Sequence, residues 1–212
     1  CDEELHDLYD RMLAPLGMSF KELAAHGPVR VPMKYRKYEQ KGFATPTGKI
    51  ELYSTALEKL GYDPLPYYEE PPVSPVSTPE IAKEFPYILN TGTRIPVYFN
   101  SEHRYLPALR RGCQEPQVEI HPDTAKKHGI GRGDWVRIST PHGSIRQRAH
   151  FTKDIHPGLI DCQFGWWFPE REGWEHGIWE SNANVLTSQE GPYDPAMGSY
   201  QLRALLCRID KA

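Results

Sequence analysis

The run from Gln117 to Thr152 constrains this chain more than any other segment. Val118 and Ile120 alternate with Gln117 and Glu119, the two-residue period of a half-buried strand. Pro122 then suits the first position of a short helix, where its missing N–H has no partner to lose. Gly129 suits the left-handed residue that stops such a helix. A Gly133-Asp134 turn launches a second strand carrying Trp135, Val136 and Ile138, and Pro141-His142-Gly143 reverses it into a third from Ser144 to Thr152. Strand, short helix, tight turn, strand, tight turn, strand builds a barrel; the connections are too short for a repeated βαβ crossover.

The chain has 212 residues, 39% of them hydrophobic, with a formal net charge of −3. There is no basic excess of the kind that binds nucleic acid, and no apolar run approaches the length of a membrane-spanning helix. The four cysteines, Cys1, Cys113, Cys162 and Cys207, are scattered without a C-x-x-C pair, which argues against a disulfide framework and against a zinc or iron–sulfur site built from this chain. Cys162 falls in the apolar run Leu159 to Phe164 and reads as core. The nine histidines contain no H-x-x-x-H spacing, so no metal site is expected among them. G-x-S-x-G, P-loop and G-x-G-x-x-G patterns are also missing.

Three parts are expected along the chain. In residues 1–63, Leu5, Leu8, Met12, Leu13 and Leu16 recur at helical spacing, and Ser19-x-x-Glu22 with Gly27 reads as a capping box and stop. Ile50 and Leu52 alternate with Glu51 and Tyr53 as a strand would, and Thr55-x-x-Glu58 predicts the box of a further helix ending at Gly61. Residues 64–84 are proline-rich and predict an extended linker, either disordered or held on a surface through Tyr67 and Tyr68. Residues 85–212 carry the barrel signals.

Two polar segments stand beside apolar strands and could carry chemistry. The first follows the strand Tyr87 to Asn90, where Thr91-Gly92 reads as a turn whose backbone could approach a ligand. Arg94 can fork onto a phosphate or a heterocycle edge, and Asn100, Ser101 and His103 add mixed donors and acceptors. The second is Ser181 to Ser188, where the Asn184 amide offers donor and acceptor together or simply closes an Asx-turn. Gly198-Ser199-Tyr200-Gln201 then enters a closing strand from Arg203 to Ile209. Four of the five tryptophans lie between Phe164 and Trp179. They could wall a ligand funnel or seal a contact with another domain; Trp166 and Trp167 are the candidates for ligand contact.

Taken together, Ile120, Pro122, Ala125, Gly129, Ile130, Gly133, Asp134, Val136, Ile138, Thr140, Pro141, Gly143 and Ile145 resemble the molybdopterin-dinucleotide-binding domain that ends the large subunits of the dimethyl-sulfoxide reductase family. The flanks fit in order: Thr45-Pro-Thr-Gly-Lys-Ile-Glu51, then Pro86 to Gly92, then Ala183-Asn-Val-Leu-Thr187. The resemblance implies a mainly β fold, a six-stranded double-psi barrel with short helices. It implies a C-terminal piece of a larger oxidoreductase, inactive alone, that holds molybdopterin guanine dinucleotide (bis-MGD) with Mo or W. The metal's protein ligand, and any iron–sulfur cluster, would lie in upstream domains of the same polypeptide. An iron–sulfur electron-transfer subunit and a small-molecule substrate would be partners.

The implied cofactor-binding positions are Thr91, Gly92, Thr93, Arg94, Asn100, Ser101, His103, Trp166, Asn184, Tyr200 and Gln201. Two of them depart from the family pattern. Thr91-Gly92-Thr93-Arg94 is one residue longer than the usual T-G-R, and Gln201 stands where Lys is common. The other reading is a freestanding double-psi barrel that acts as an adaptor or substrate-recognition module without a cofactor.

Overall fold

A computed structural model of the chain describes residues 2–30 and 32–212. It divides into two compact units, Cys1–Leu65 and Pro66–Ala212.

The first unit is held by local signals. Helix α1 (Asp2–Leu13) runs on into a 3-10 turn that Gly17 closes in the left-handed region at φ 67°. Helix α2 (Phe20–His26) starts with the expected box: Ser19 Oγ accepts from Glu22 N–H while the Glu22 carboxylate accepts from Ser19 N–H. Helix α3 (Lys37–Lys41) is one turn. Two expectations fail. Residues 49–53 form no strand, and Ile50 and Leu52 are 69% and 83% exposed. With no neighbouring strand to take the ladder, alternation alone carries no sheet. Helix α4 (Thr55–Lys59) is capped by Ser54 and not by Thr55: the Ser54 hydroxyl accepts from Leu57 N–H.

In the second unit the proline-rich stretch is tied down by its own polar residues. Ser74 Oγ accepts from the backbone N–H groups of Val76 and Ser77, and the Gln201 side chain pairs with both the N–H and the C=O of Val73. Helix α5 (Pro79–Glu84) follows, with proline in its first turn. The barrel strands are β1 (Tyr87–Thr93), β2 (Gln117–Ile120), β3 (Trp135–Ser139), β4 (Ser144–Phe151), β5 (Leu159–Gln163) and β6 (Leu205–Lys211). Short helices α6 (Pro107–Arg110) and α7 (Pro122–Lys127) lie between them, Pro122 opening the latter as expected.

The strands close in the order β1-β5-β2-β4-β3-β6. Pairs β1·β5 and β2·β4 are parallel and the other four antiparallel, giving a six-stranded double-psi barrel. Each strand turns alternate residues inward: Leu89, Val118 and Ile120, Val136 and Ile138, Ile145 and Ala149, Ile160 and Cys162, Cys207 and Ile209 are all buried. Burial pushes the Cys162 thiol well up, as befits a core residue.

Candidate functional site

The strand registers bring one set of ends together. The C-terminal ends of β1, β3 and β5 and the N-terminal ends of β2, β4 and β6 share one mouth of the barrel. The loop after β1, the Thr140–Gly143 turn, the aromatic segment after β5 and the segment entering β6 therefore all emerge there.

Gln147 organises this mouth from inside. It sits between Ile145 and Ala149 on the inward face of β4, fully buried. Its amide donates to the carbonyls of Gln163 at 2.8 Å and Ser181 at 3.2 Å and accepts from Gln163 N–H. Gln163 in turn accepts from Gln117 N–H at 2.8 Å. Four chain segments are thus locked by two buried amides, and both polar atoms of the Gln147 amide are matched. This places the 3-10 turn Ala183–Leu186 against the β3–β4 hairpin, where Thr140 Oγ1 donates to Leu186 O. Gly143 is required at the contact, because a Cβ there would lie 2.6 Å from the Val185 carbonyl oxygen.

On that turn Asn184 is exposed, and its amide makes no hydrogen bond to any described residue. The Asx-turn exists, but Asn182 makes it: its Oδ1 accepts from Asn184 N–H at 3.0 Å. The Asn184 side chain is left free for a ligand.

The β1 side differs from its expectation. Thr91-Gly92 is no turn; β1 continues to Thr93, with a register shift against β5 between Asn90 and Thr93. The parallel partner β5 extends the ladder past Asn90, a pairing that local sequence does not encode. Thr91 Oγ1 donates to Leu202 O, and Thr93 Oγ1 bonds the Asp161 carboxylate, so both hydroxyls are engaged within the fold. Gly92 packs on Arg203, whose Nε lies 3.5 Å from where a Cβ would stand. Asp161 is raised above the usual carboxylate range, first by burial; Thr93 and Arg203 offset this in part.

Beyond β1, Arg94 and Asn100 line a cavity of about 240 Å³ together with Ile95, Tyr98, Phe99, Arg104 and Phe164. Arg94 is exposed at its edge. Asn100 and His103 hold left-handed backbone, φ 51° and 69°, uncommon for residues other than glycine. Ser101 O accepts from Trp167 Nε1 at 2.5 Å, which pins the loop to the aromatic segment. His103 Nδ1 is buried without a partner, and its Nε2 lies 3.6 Å from Glu102.

Trp166, expected as a possible ligand contact, is fully buried behind this loop. It meets Tyr98 and Phe168 edge-on. Tyr200 forms an isolated bridge with Tyr193, and Gln201 points its amide at Val73 and Ala204. The mouth thus gathers Arg94, Asn100, Ser101 and His103 in one loop and Asn184 on the hairpin side, while Trp166 and the Gln201 amide serve the packing around it.

Sequence reasoning missed Arg104, Asp161, Arg203 and Gln147. Arg104 closes the polar stretch Asn100 to Arg104 and carries no local sign that it would be buried. Gln147 betrays itself only as a polar residue at an inward position of an alternating strand.

Among the described residues no group of three His, Cys, Asp or Glu side chains is placed to hold a metal ion. Residues 87–205 match the molydopterin dinucleotide binding domain model, and the chain belongs to that family. Relatives include acetylene hydratase of Syntrophotalea acetylenica, 36% identical over 93% of this chain and 28% of that protein. Dopamine dehydroxylase of Eggerthella lenta is 42% identical over 81% of this chain and 17% of its own length. The solved structure of acetylene hydratase from Pelobacter acetylenicus superimposes with a TM-score of 0.78 at 35% identity, covering 98% of this chain and 29% of that one. The chain therefore spans less than a third of the length of these relatives.

Proposed function

We propose that the barrel mouth holds the pterin dinucleotide of a molybdenum or tungsten oxidoreductase of the bis-MGD type, as the C-terminal part of a longer polypeptide. The observation that carries this assignment is the free Asn184 amide at the mouth where the β1 loop also emerges. An amide presents a donor and an acceptor side by side, which complements the alternating N–H and C=O groups of a pterin edge. Its position is fixed by buried hydrogen bonds and not by its own side chain, so it is preorganised. Across the mouth, Arg94 and the Asn100–His103 loop supply the charge and the donors that a phosphate-bearing ligand needs.

When bound, the cofactor supplies two-electron chemistry at its metal. This chain's residues bind and orient it: Asn184 grips the ring edge, Arg94 faces the phosphates, and the Phe164–Phe168 segment excludes water behind them. The metal's protein ligand and any iron–sulfur cluster belong to preceding domains. The 1–63 region would pack on those domains, and the substrate would be a small molecule reaching the metal. Membership in a cofactor-binding family disfavours the adaptor alternative.

The test is pterin and metal content of the full-length protein purified without oxygen, for wild type and Asn184→Leu. Leaving a buried pterin edge unpaired costs roughly 1–3 kcal/mol, so the variant should hold the cofactor about five- to a hundred-fold more weakly with its fold intact. Full occupancy and unchanged activity in Asn184→Leu would show that Asn184 does not bind it.

A further inference from the structure

Behind the cleft at the mouth lies a guanidinium with no counter-ion among the described residues. Arg104 is completely buried. Its Nη1 donates to Asn100 O at 3.1 Å, and its Nε and Nη2 have no partner. These two nitrogens form the side edge of the guanidinium, the edge that takes an oxyanion in two parallel hydrogen bonds. The group sits in the corner between two nearly perpendicular rings, 4.9 Å from the Tyr98 ring and 4.9 Å from the Trp166 ring. Among the described residues no carboxylate pairs with it, and the nearby Arg110 adds a second positive charge. Burial brings its pKa down to about 10, so it stays charged at neutral pH.

Arg110 shows the contrast. It also lies over Trp166, at 5.4 Å, but its Nη2 reaches the Glu170 carboxylate at 3.2 Å. One arginine of the pair is neutralised by the protein and the other is not. A buried charge without a partner is costly, and the free edge of Arg104 belongs to a side chain that lines the cleft.

We propose that Arg104 is the receptor for an oxyanion entering this cleft, with the exposed Arg94 closing on the same anion. Nε and Nη2 are out of reach of solvent in this structure, so the anion reaches them by displacing the loop at Asn100. Asn100, whose carbonyl accepts from Arg104 Nη1, lies on that loop in left-handed backbone. The Tyr98 and Trp166 rings hold the planar guanidinium in place from two sides, which preorganises the fork. The anion is phosphate-like. It is a phosphate of the dinucleotide, which rests on the cofactor assignment above, or a free small oxyanion.

The full-length protein tests this with Arg104→Met, Arg104→Lys and Arg94→Met. In the cofactor-loaded protein, Arg104→Met should speed loss of the pterin dinucleotide roughly ten- to a hundred-fold, because hydrogen bonds to a charged group are lost. Arg104→Lys keeps the charge but not the fork and should recover only part of the hold. In the cofactor-free protein, Arg104→Met should raise the unfolding midpoint, since an unpaired buried charge is gone. Wild type, and not Arg104→Met, should gain thermal stability from inorganic pyrophosphate and guanosine diphosphate if the source is the dinucleotide, or from sulfate alone if it is a free oxyanion.

If Arg104→Met lowers the cofactor-free midpoint and answers every anion as wild type does, Arg104 is only a structural cation–π contact and the proposal falls. Should the Met variant fail to fold, Arg104→Lys and the exposed Arg94→Met carry the same comparison, and unchanged cofactor retention in both overturns it. A wild-type protein that holds no pterin dinucleotide defeats the cofactor assignment, while the response to sulfate still decides the role of Arg104.

Discussion

The two units of this chain obey the same local rules and reach opposite outcomes. Cys1–Leu65 has well-formed caps at Ser19 and Ser54, yet none of its described side chains is buried. Leu5, Leu8 and Met12 of α1 stand 50%, 43% and 66% exposed. Pro66–Ala212 has no more side-chain caps, at His121 and Asn182, but closes a barrel around a continuous apolar core. Caps and periodicity shape a segment, but only long-range strand pairing gives its apolar face somewhere to go. The helical stripe of the first unit stays exposed.

Core truncation should expose this difference most sharply. Ile138 is fully buried in the barrel, so Ile138→Ala should cost about 2–5 kcal/mol in urea unfolding of the second unit. Leu8→Ala should stay within about 0.5 kcal/mol. A comparable loss at Leu8 would mean that α1 is covered after all. Next comes the amide lock. Gln147→Leu strands the Gln163 N–H and two carbonyls, an expected loss of roughly 1–3 kcal/mol, together with freer hydrogen exchange over Ala183–Leu186. Unchanged exchange there would break the link between the barrel interior and Asn184.

Ser19→Ala removes a cap on a helix with no buried side chain. It should weaken α2 locally by about 0.5–2 kcal/mol, seen as faster exchange at Glu22 while the barrel midpoint stays put. A shift of the barrel transition would show that the two units unfold together.

The mildest effect is expected at Asp161. Its folded pKa lies above the ordinary value of 3.8, mainly through burial, so the folded state binds the proton more tightly. The destabilisation is absent below the ordinary pKa and sets in as pH rises through the folded one. Asp161→Asn keeps an acceptor for Thr93 and should be slightly more stable than wild type at neutral pH. That advantage should vanish near pH 3. A variant less stable at pH 7 would mean that the Arg203 interaction outweighs burial.

The barrel was largely legible in the chain. Turn residues at Pro122, Gly129, Gly133 and Gly143 with alternating apolar positions left few other folds open, and the observed strands follow those marks. The site was legible as two polar segments but not as a constellation. Ile50 and Leu52 carry a strand pattern without a neighbour, and no local rule can supply one. Thr91-Gly92 looks like a turn, yet it lies at a register shift inside β1, whose ladder to β5, some seventy residues away, resumes at Thr93. Gln201 appears free to meet a ligand, yet its amide is engaged by Val73.

By itself the sequence determined the strands, their inward faces and the turns between them, because these follow from backbone sterics and side-chain alternation within a few residues. Tertiary structure alone decided which polar groups are free. Asn184 stays unpartnered because Asn182 closes the turn beneath it. Arg104 keeps an open fork because it lies against Tyr98 and Trp166 and, among the described residues, no carboxylate pairs with it. Whether a hydrogen-bonding group is satisfied depends on partners brought in by distant parts of the chain, and that is known only once the barrel is closed.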